Sequence, residues 1–221
     1  QTVTLTVSAA DFVPATALLD VTDNEVAGFT LNESDSSTEV DETGTMDDLS
    51  VVLTGRPQFD VIIDISTTDG DEVSFDTTSL TFTQSNWDTP QTVNVIGEDD
   101  FLIDGTQTAT ITFSVNSGSD TPFTGLSDQT VAATVTDDDV AGFVVIESAG
   151  STQVNEGGLT DFFDVLLTAR PVSDVVILVQ NPVPAELGAS ETELTFTNLT
   201  WDSPQRVCLL YTSPSPRDSI A

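Results

Sequence analysis

Carboxylates are the residues of this chain that could do chemistry, and in residues 26–139 ten of them fall in four short segments that can form loops. Calcium binds carboxylate and other oxygen ligands, roughly six to eight of them at a time. So many negative charges close together would repel each other unless a cation neutralised them, which favours a metal site. A solvated acidic surface without an ion is the alternative. The candidate ligands are Glu42, Asp69, Asp71, Glu98, Asp99, Asp100, Asp104, Asp137, Asp138 and Asp139.

The overall charge of the chain agrees with a cation as ligand. There are 37 acidic residues against four arginines, with no lysine and no histidine, so the formal net charge is −33. A field of this sign repels nucleic acid and anionic membrane surfaces, and we expect neither as a partner. No apolar run is long enough to predict a membrane-spanning helix, so we expect no direct insertion into a bilayer.

Other kinds of site find little support. The absence of histidine and the single cysteine, Cys208, exclude the usual nucleophile–base and zinc arrangements, and no intrachain disulfide can form. A carboxylate pair of the glycosidase type stays open in principle, but with so many acids no single pair stands out. We therefore expect no catalytic residues and no enzyme activity.

An internal repeat organises the chain. Residues 26–93 align without a gap on residues 140–207 at an offset of 114, with 31 identities in 68 positions. The first residues resemble the segment from Gln107, and Val21–Glu25 resembles Val135–Asp139. We therefore predict four parts: 1–25, the C-terminal part of a preceding repeat; 26–139, a complete repeat; 140–207, a truncated following repeat; and 208–221, a tail.

The tail differs from the rest of the sequence. It begins where the repeat register ends, after Val207, and holds the only cysteine and the only tyrosine of the chain. Residues 208–218 match one translated reading frame of a transposon sequencing adapter. We expect 208–221 to be a non-native, adapter-derived tail. A proline-rich linker is the alternative.

Short alternating runs of apolar and polar residues predict strands and no long helix. The fold class that this favours is all-β, with tandem seven-stranded antiparallel β-sandwich modules of immunoglobulin-like type. In such a sandwich the loops that carry the candidate ligands can gather at one pole. The predicted strands of the complete repeat lie near residues 27–32, 47–54, 60–67, 79–83, 91–97, 106–115 and 129–136.

Two tryptophans at equivalent positions, Trp87 and Trp201, each follow one predicted strand and precede a Pro-Gln that begins the next. A sugar-stacking role is one interpretation, and it would fit a carbohydrate-binding appendage of a secreted enzyme. We favour the other, in which the indole closes one end of the sandwich core.

Residues 1–207 resemble the Calx-beta repeat. The resemblance lies in Thr136–Phe143, in Val40–Gly44 and in the acidic loop 97–105, and the run from Leu80 to Gln91 is similar to bacterial tandem versions. It implies a seven-stranded sandwich with calcium ligands at the early glutamate, after the third strand, in the acidic loop and in the terminal Asp run. Exchanger modules carry further glutamates where this chain has Ile103-Asp104-Gly105, which implies fewer or weaker ions.

The sequence thus predicts a structural or interaction module of a multi-repeat extracellular or cell-surface protein, an adhesin-like stalk stiffened by Ca²⁺ at the acidic poles between repeats. Its expected partners are the neighbouring repeats of the same chain and calcium, with cell-surface or matrix glycans or proteins reached through other domains. A calcium-sensing regulatory domain fused to a membrane protein is the alternative.

Overall fold

A computed structural model describes residues 2–22 and 24–212, and these form strands joined by turns and two single-turn 3₁₀ segments. The described strands fall into three groups along the chain. The first is a hairpin of β1 (Thr2–Val7) and β2 (Ala15–Asp20). None of the described helices is long and apolar enough to cross a membrane.

The strands between residues 26 and 139 form a two-sheet sandwich, which confirms the predicted all-β fold class. One sheet has the strand order β4-β11-β10-β6-β8 and the other the order β3-β5-β9-β7. Neighbouring strands are antiparallel except β4 and β11, which are parallel. The strands are β3 (Phe29–Glu33), β4 (Thr38–Asp41), β5 (Met46–Leu53), β6 (Val61–Thr67), β7 (Val73–Phe75), β8 (Ser79–Phe82), β9 (Gln91–Gly97), β10 (Gln107–Val115) and β11 (Gln129–Thr136).

The core of this sandwich follows from the two-residue period of its strands. Leu49, Val51 and Leu53 of β5 point inward and are at most 4% exposed, whereas the residues between them face outward. The same alternation runs along β10 and β11. Twenty apolar side chains are buried in one cluster, enough for the unit to have a core of its own. Trp87 packs against this cluster, the position we favoured for it.

Two short strands, β4 and β7, add to the seven that the sequence predicts. They arise where the chain turns sharply: at Ser34–Ser36 a 3₁₀ turn separates β3 from β4 and moves the chain to the other sheet. Asp35 takes a left-handed φ of 49° there, and the Ser34 hydroxyl donates a hydrogen bond to Asp47. Strands of three and four residues are too short to give a periodic signal.

Residues 140–212 form the same sandwich without its last strands. One sheet has the order β12-β13-β17-β15, equivalent to β3-β5-β9-β7, and the other holds only β14 and β16. Five apolar side chains are buried in its core, against twenty in the complete unit. The strands are β12 (Phe143–Glu147), β13 (Asp161–Leu167), β14 (Val175–Leu178), β15 (Leu187–Ala189), β16 (Glu193–Phe196) and β17 (Gln205–Tyr211).

Strand β17 includes the beginning of the predicted tail. Cys208 pairs with Phe162 and Leu209 with Asp161, so the strand continues four residues past Val207. These residues take the places of Asn94–Gly97 in β9. The adapter origin of the tail stays a prediction, and residues 213–221 lie outside the described part of the chain.

Candidate metal centre

Four segments of the complete unit meet at one pole of the sandwich. They are the residue after β4, the turn before β7, the loop 98–105 after β9, and residues 137–139 after β11. Because these strands belong to two sheets that pack face to face, their ends on this side converge, as predicted from the sequence. The carboxylates of the four segments are thereby brought together.

Glu42 is the centre of the cluster. Its backbone N–H donates to the carbonyl of Thr136 at 3.2 Å, which extends the parallel pairing of β4 with β11 and fixes where the side chain begins. The residue is 3% exposed, and its Oε2 is buried without a hydrogen-bond partner. A buried carboxylate oxygen with no donor is costly unless a proton or a cation compensates it.

Glu72 is a second buried carboxylate, and it is absent from the sequence-based ligand set. Its carbonyl accepts the N–H of Glu98 at 2.9 Å, which ties the turn before β7 to the start of the acidic loop. The residue is 6% exposed, and its Oε2 is again buried without a partner. The Asp69-Gly70-Asp71 turn signal drew the prediction to the two flanking aspartates, both of which are exposed.

The internal repeat contains a sequence signal that indicates Glu72 as a candidate ligand. At the offset of 114, Glu42 aligns with Glu156 and Glu72 with Glu186, so both repeats keep a glutamate there. Asp69 and Asp71 align instead with Val183 and Ala185. Because its acid is present in both copies of the repeat, Glu72 is a better ligand candidate than Asp69 or Asp71.

The loop 98–105 is held in shape by carboxylates of the loop and by Asp137. Asp100 Oδ1 accepts the N–H of Leu102 at 2.6 Å, and Asp137 Oδ2 accepts the N–H of Gly105 at 2.7 Å. Gly105 has a φ of 75°, a backbone conformation that glycine adopts at little cost. Glu98 accepts a hydrogen bond from the Ser74 hydroxyl. The loop therefore projects Asp100 and Asp104 toward Glu42 on an ordered backbone.

Asp137 and Asp139 play different parts at the end of β11. Asp137 also accepts the N–H of Asp139 through Oδ1, at 2.8 Å, so both of its oxygens have amide partners. These backbone hydrogen bonds, that of Gly105 first, lower the pKa of Asp137. Asp139 is half-buried, and its Oδ2 is buried without a partner. Asp137 thus organises the backbone, and Asp139 offers a free oxygen.

The carboxylate oxygens form two overlapping groups. In each group, one oxygen from every residue lies within 4.8 Å of the others. Both groups contain Glu42, so the two positions share one carboxylate. A site made only of oxygens suits a hard cation such as calcium rather than zinc or copper. The groups are Glu42 with Asp100 and Asp139, and Glu42 with Glu72 and Asp104.

The electrostatics of the cluster favour a bound cation. Burial first, and then the charges of Asp137 and Asp100, raise the pKa of Glu42 from its ordinary 4.5 to about 7. Burial, followed by the charge of Asp104, raises the pKa of Glu72. Burial and the nearby Asp99 raise the pKa of Asp139. These carboxyls ionise reluctantly unless a positive charge replaces the missing proton.

The ten predicted ligands divide into three sets. Four of them, Glu42, Asp100, Asp104 and Asp139, lie in the two groups. Asp137 and Glu98 border the groups and are engaged with Gly105 and Ser74. The remaining four are exposed and lie outside the groups: Asp69, Asp71, Asp99 and Asp138. All ten stay predictions as ligands.

The acidic loop also touches the next unit. The carbonyl of Phe101 accepts the N–H of Arg170 at 2.7 Å, and Leu102 forms a parallel bridge with the same residue. The Phe101 ring lies 5.4 Å from the Trp201 ring, centroid to centroid. The loop that carries Asp100 and Asp104 therefore contacts residues of both units, and Trp201 packs at the junction as well as on its own core.

The linker between the units is anchored just after Asp139. Thr168 Oγ1 donates to the carbonyl of Val140 at 2.7 Å, and the N–H of Thr168 donates to the carbonyl of Gly142 at 3.0 Å. A Cβ on Gly142 would lie 3.0 Å from Thr168 Oγ1, so glycine allows this close approach. Thr54 makes the same two bonds to Val26 and Gly28. The anchor is thus a repeated feature of the array.

At the equivalent pole of the third unit, the corresponding glutamates are not buried. Glu156 and Glu186, the counterparts of Glu42 and Glu72, are both exposed, and Glu156 accepts a hydrogen bond from the Tyr211 hydroxyl at 3.1 Å. At the first junction Asp23 lies outside the described residues. Burial of the two glutamates therefore accompanies the acidic loop and the β10–β11 hairpin, both of which belong to the complete unit.

Comparisons with known proteins find solved structures that are similar to this chain. No protein-family model matches the chain, and no curated protein matches it. The apo form of the Calx CBD1 domain is 17% identical over 50% of this chain and 98% of that chain, with a TM-score of 0.36. CBD12 from CALX1.2 is 16% identical over 84% of this chain and 75% of that chain, with a TM-score of 0.35.

The surface layer protein SbsC, domains 1–6, is 13% identical over 90% of this chain and 25% of that chain, with a TM-score of 0.41. These identities and TM-scores carry no conclusion about the ligand or role of this chain.

Proposed function

We propose that the chain is part of a structural and interaction array of a multi-repeat extracellular protein, in which Ca²⁺ bound at the acidic pole stiffens the junction between repeats. The observation that carries the proposal is the set of three buried carboxylate oxygens without partners: Glu42 Oε2, Glu72 Oε2 and Asp139 Oδ2. Glu42 lies in one carboxylate group with Asp139 and in the other with Glu72.

Calcium fits these residues better than other common cations. Magnesium requires near-ideal octahedral geometry and keeps several of its waters, whereas calcium accepts irregular sets of carboxylates, carbonyls and water. The two groups share Glu42, which supports up to two neighbouring ions. With few protein ligands for each ion, we expect dissociation constants of about 10⁻⁴–10⁻³ M, the range of extracellular modules.

The stiffening follows from what the ligands are attached to. Asp139 is followed directly by Val140, whose carbonyl is held by Thr168 of the next unit. Asp100 lies beside Phe101, whose carbonyl and ring contact Arg170 and Trp201 of that unit. An ion that holds Asp100 and Asp139 together would fix the loop and the linker in one arrangement, and with them the angle between units.

Calorimetric titration of the full chain with CaCl₂ tests the site. The parent should bind calcium, and Glu42→Gln, which removes one charge from both groups, should weaken binding at least tenfold. The matched control is Glu39→Gln, an exposed glutamate three residues earlier on β4, and it should bind like the parent. Equal affinity in all three chains would refute the assignment of the site.

Small-angle X-ray scattering of the full chain tests the stiffening separately. In calcium the scattering should fit one extended arrangement of units, and in chelator it should need a broader set of arrangements. Glu42→Gln should behave in calcium as the parent does in chelator. If the parent binds calcium but its scattering is unchanged, the metal site stands and the stiffening role is wrong.

A further inference from the structure

A cleft lies on the outer face of the complete unit, at the end away from the acidic pole. Three turns form it over Ile62, an outward-facing residue of β6. They are residues 58–60 before β6, residues 83–85 after β8, and the start of the loop after β10, at Gly118. The cleft has a volume of about 540 Å³, within the range of small-molecule sites, which is roughly 300–1,000 Å³. β6 runs from the cleft toward the turn before β7, so its seven residues separate the cleft from the acidic pole by about 20 Å.

Buried polar side chains hold the walls of the cleft in place. Asp120 is 6% exposed, and its Oδ2 accepts the N–H of Gln58 at 2.6 Å. Ser119 is 9% exposed, and its Oγ accepts the N–H of Ile62 at 2.9 Å. Gln84 Nε2 donates a hydrogen bond to the carbonyl of Gln58, which ties two of the turns together. A ligand would therefore meet a preformed site, and the cost of ordering loops on binding is small.

The lining of the cleft combines one large aromatic side chain with hydrogen-bonding groups. Phe59 is 72% exposed. The side chains of Gln58 and Asp60 make no hydrogen bond within the described part of the chain. Ser85 Oγ is paired there only with Thr83 Oγ1, at 3.0 Å. The cleft thus presents an apolar ring beside free amide and carboxylate groups, and only one of these groups is charged.

A sugar ring matches both kinds of surface. Its C–H groups form an apolar face that can pack on an aromatic ring, and its hydroxyls both donate and accept hydrogen bonds. The net charge of −33 repels anionic ligands. A cationic side chain would use only acceptors, whereas the amide of Gln58 also presents N–H donors. A neutral saccharide therefore uses more of the cleft than a charged ligand does.

We propose that the cleft binds a neutral glycan, with Phe59 stacked on a sugar ring and with Gln58 and Asp60 bonded to its hydroxyls. The stacking residue is not one of the tryptophans, because Trp87 packs against the core and does not line the cleft. This role goes beyond the calcium site and does not depend on it, since the two sites lie at opposite ends of β6.

The contact between consecutive units leaves this corner of the sandwich open. The complete unit docks on the third unit at Arg170, through the carbonyl of Phe101. Beside that contact, Val172 is 90% exposed and Leu199 is 85% exposed. At the offset of 114 these two residues are the equivalents of positions 58 and 85, which line the cleft. A unit placed before the complete one in the same way would therefore leave the cleft uncovered.

The third unit does not carry the same set of side chains. Phe59 aligns with Ser173 and Gln58 with Val172, so neither the ring nor the amide is present there. We therefore expect glycan binding in the complete unit alone. The repeat also supplies a conservative test variant, because Phe59→Ser introduces the residue that the third unit has at this turn.

Glycan-array screening followed by calorimetric titration of the full chain tests the proposal. The array carries neutral, uronic-acid and sulfated oligosaccharides, and the neutral oligosaccharide that binds most strongly is used for the titration. The parent should bind neutral oligosaccharides and not the anionic ones, with the same affinity in calcium and in chelator. Phe59→Ser should weaken binding by about tenfold because the stacked ring is lost, whereas Phe59→Tyr, which keeps a ring, should bind like the parent.

The matched control is Val172→Ser, which removes an exposed apolar side chain from the equivalent turn of the third unit. It should bind like the parent, and both serine variants should melt at the temperature of the parent because both original side chains are exposed. In NMR spectra the side-chain amide signals of Gln58 and Gln84 should shift when the oligosaccharide is added.

Four outcomes would each overturn the proposal: a parent that binds no neutral oligosaccharide, a parent that binds tetralysine instead, amide signals of Gln58 and Gln84 that do not move, or equal losses in Phe59→Ser and Val172→Ser. Glycan binding by a chain that binds no calcium would support this proposal and contradict the proposed function alone.

Discussion

The carboxylates at the acidic pole differ in how their charge is compensated. Asp137 has amide partners for both oxygens, and its pKa is lowered. Glu42 and Glu72 are buried with an unpartnered oxygen, and their pKa values are raised. Hydrogen bonds to a carboxylate favour its charged form, and burial disfavours it. Asp137 therefore serves to hold the fold together as a charged carboxylate. The carboxylates of Glu42 and Glu72 need a proton or a cation to compensate their buried oxygens.

The raised pKa of Glu42 predicts how the stability of the calcium-free chain depends on pH. Its carboxyl has a pKa of about 7 when folded, against an ordinary 4.5 when unfolded. The folded state therefore binds the proton more tightly. The stability from this group is fully present below about pH 4.5 and is lost as the pH rises through about 7, by up to about 3 kcal/mol.

Urea denaturation in chelator at about pH 5, 6, 7 and 8 measures this loss. Glu42→Gln has no proton to lose at this position, so its stability should fall less over the same range, and Glu39→Gln should follow the parent. Carboxyls with lowered pKa values, such as Asp137, contribute stability that is lost only below about pH 4. They therefore do not change the stability between pH 5 and 8. Parallel curves for the parent and Glu42→Gln would contradict the prediction.

The two short strands determine where the buried glutamates lie. Glu42 directly follows β4, and Glu72 directly precedes β7. β4 exists because the chain leaves β3 at Ser34–Ser36 and joins β11, and Asp47 of β5 holds this crossover. Asp47 accepts hydrogen bonds from the Ser34 hydroxyl and from the N–H of Glu39, the latter at 2.8 Å. Asp161 does the same in the third unit, with Ser148 and Gln153.

Asp47→Ala should weaken calcium binding although Asp47 lies outside both groups of ligands. The substitution leaves the Ser34 hydroxyl and the Glu39 amide without their acceptor, which should cost about 1–3 kcal/mol of unfolding free energy. β4 should then hold Glu42 less firmly. Denaturation and calorimetric titration measure the two effects. The control is Asp48→Ala, an exposed neighbour on the same strand; equal losses in both variants would contradict this role for Asp47.

The same elements explain what the sequence could predict. Long alternating strands such as β5 and β10 are clear in the pattern, and the offset of 114 gives the order of units without any structure. β4 and β7 are three or four residues long and carry no such pattern, so the burial of Glu42 and Glu72 depends on turns that the sequence shows only indirectly. The motif Val40–Gly44 still makes Glu42 a candidate ligand. The turn signal Asp69-Gly70-Asp71 instead directs attention to the aspartates beside Glu72.

At the scale of the whole molecule, the units should differ in stability. In tandem repeats, stability is approximately a sum of the stability of each unit and of the contacts between neighbours. The complete unit buries twenty apolar side chains in two multi-stranded sheets, and the third unit buries five, with β14 and β16 alone in one sheet. The contacts between the two units include the linker anchor at Thr168 and the Phe101 loop.

Calorimetric melting of the full chain should therefore show two transitions, the third unit first. Phe196→Ala should lower the first transition and Leu49→Ala the second, since each removes a fully buried side chain from one core. Because the proposed calcium site lies in the complete unit, calcium should raise the second transition, by about 2.7 kcal/mol at one hundred times the dissociation constant. The first should move less, and only through the junction. A single transition that both substitutions lower equally would show instead that the junction joins the two units into one cooperative body, with or without calcium.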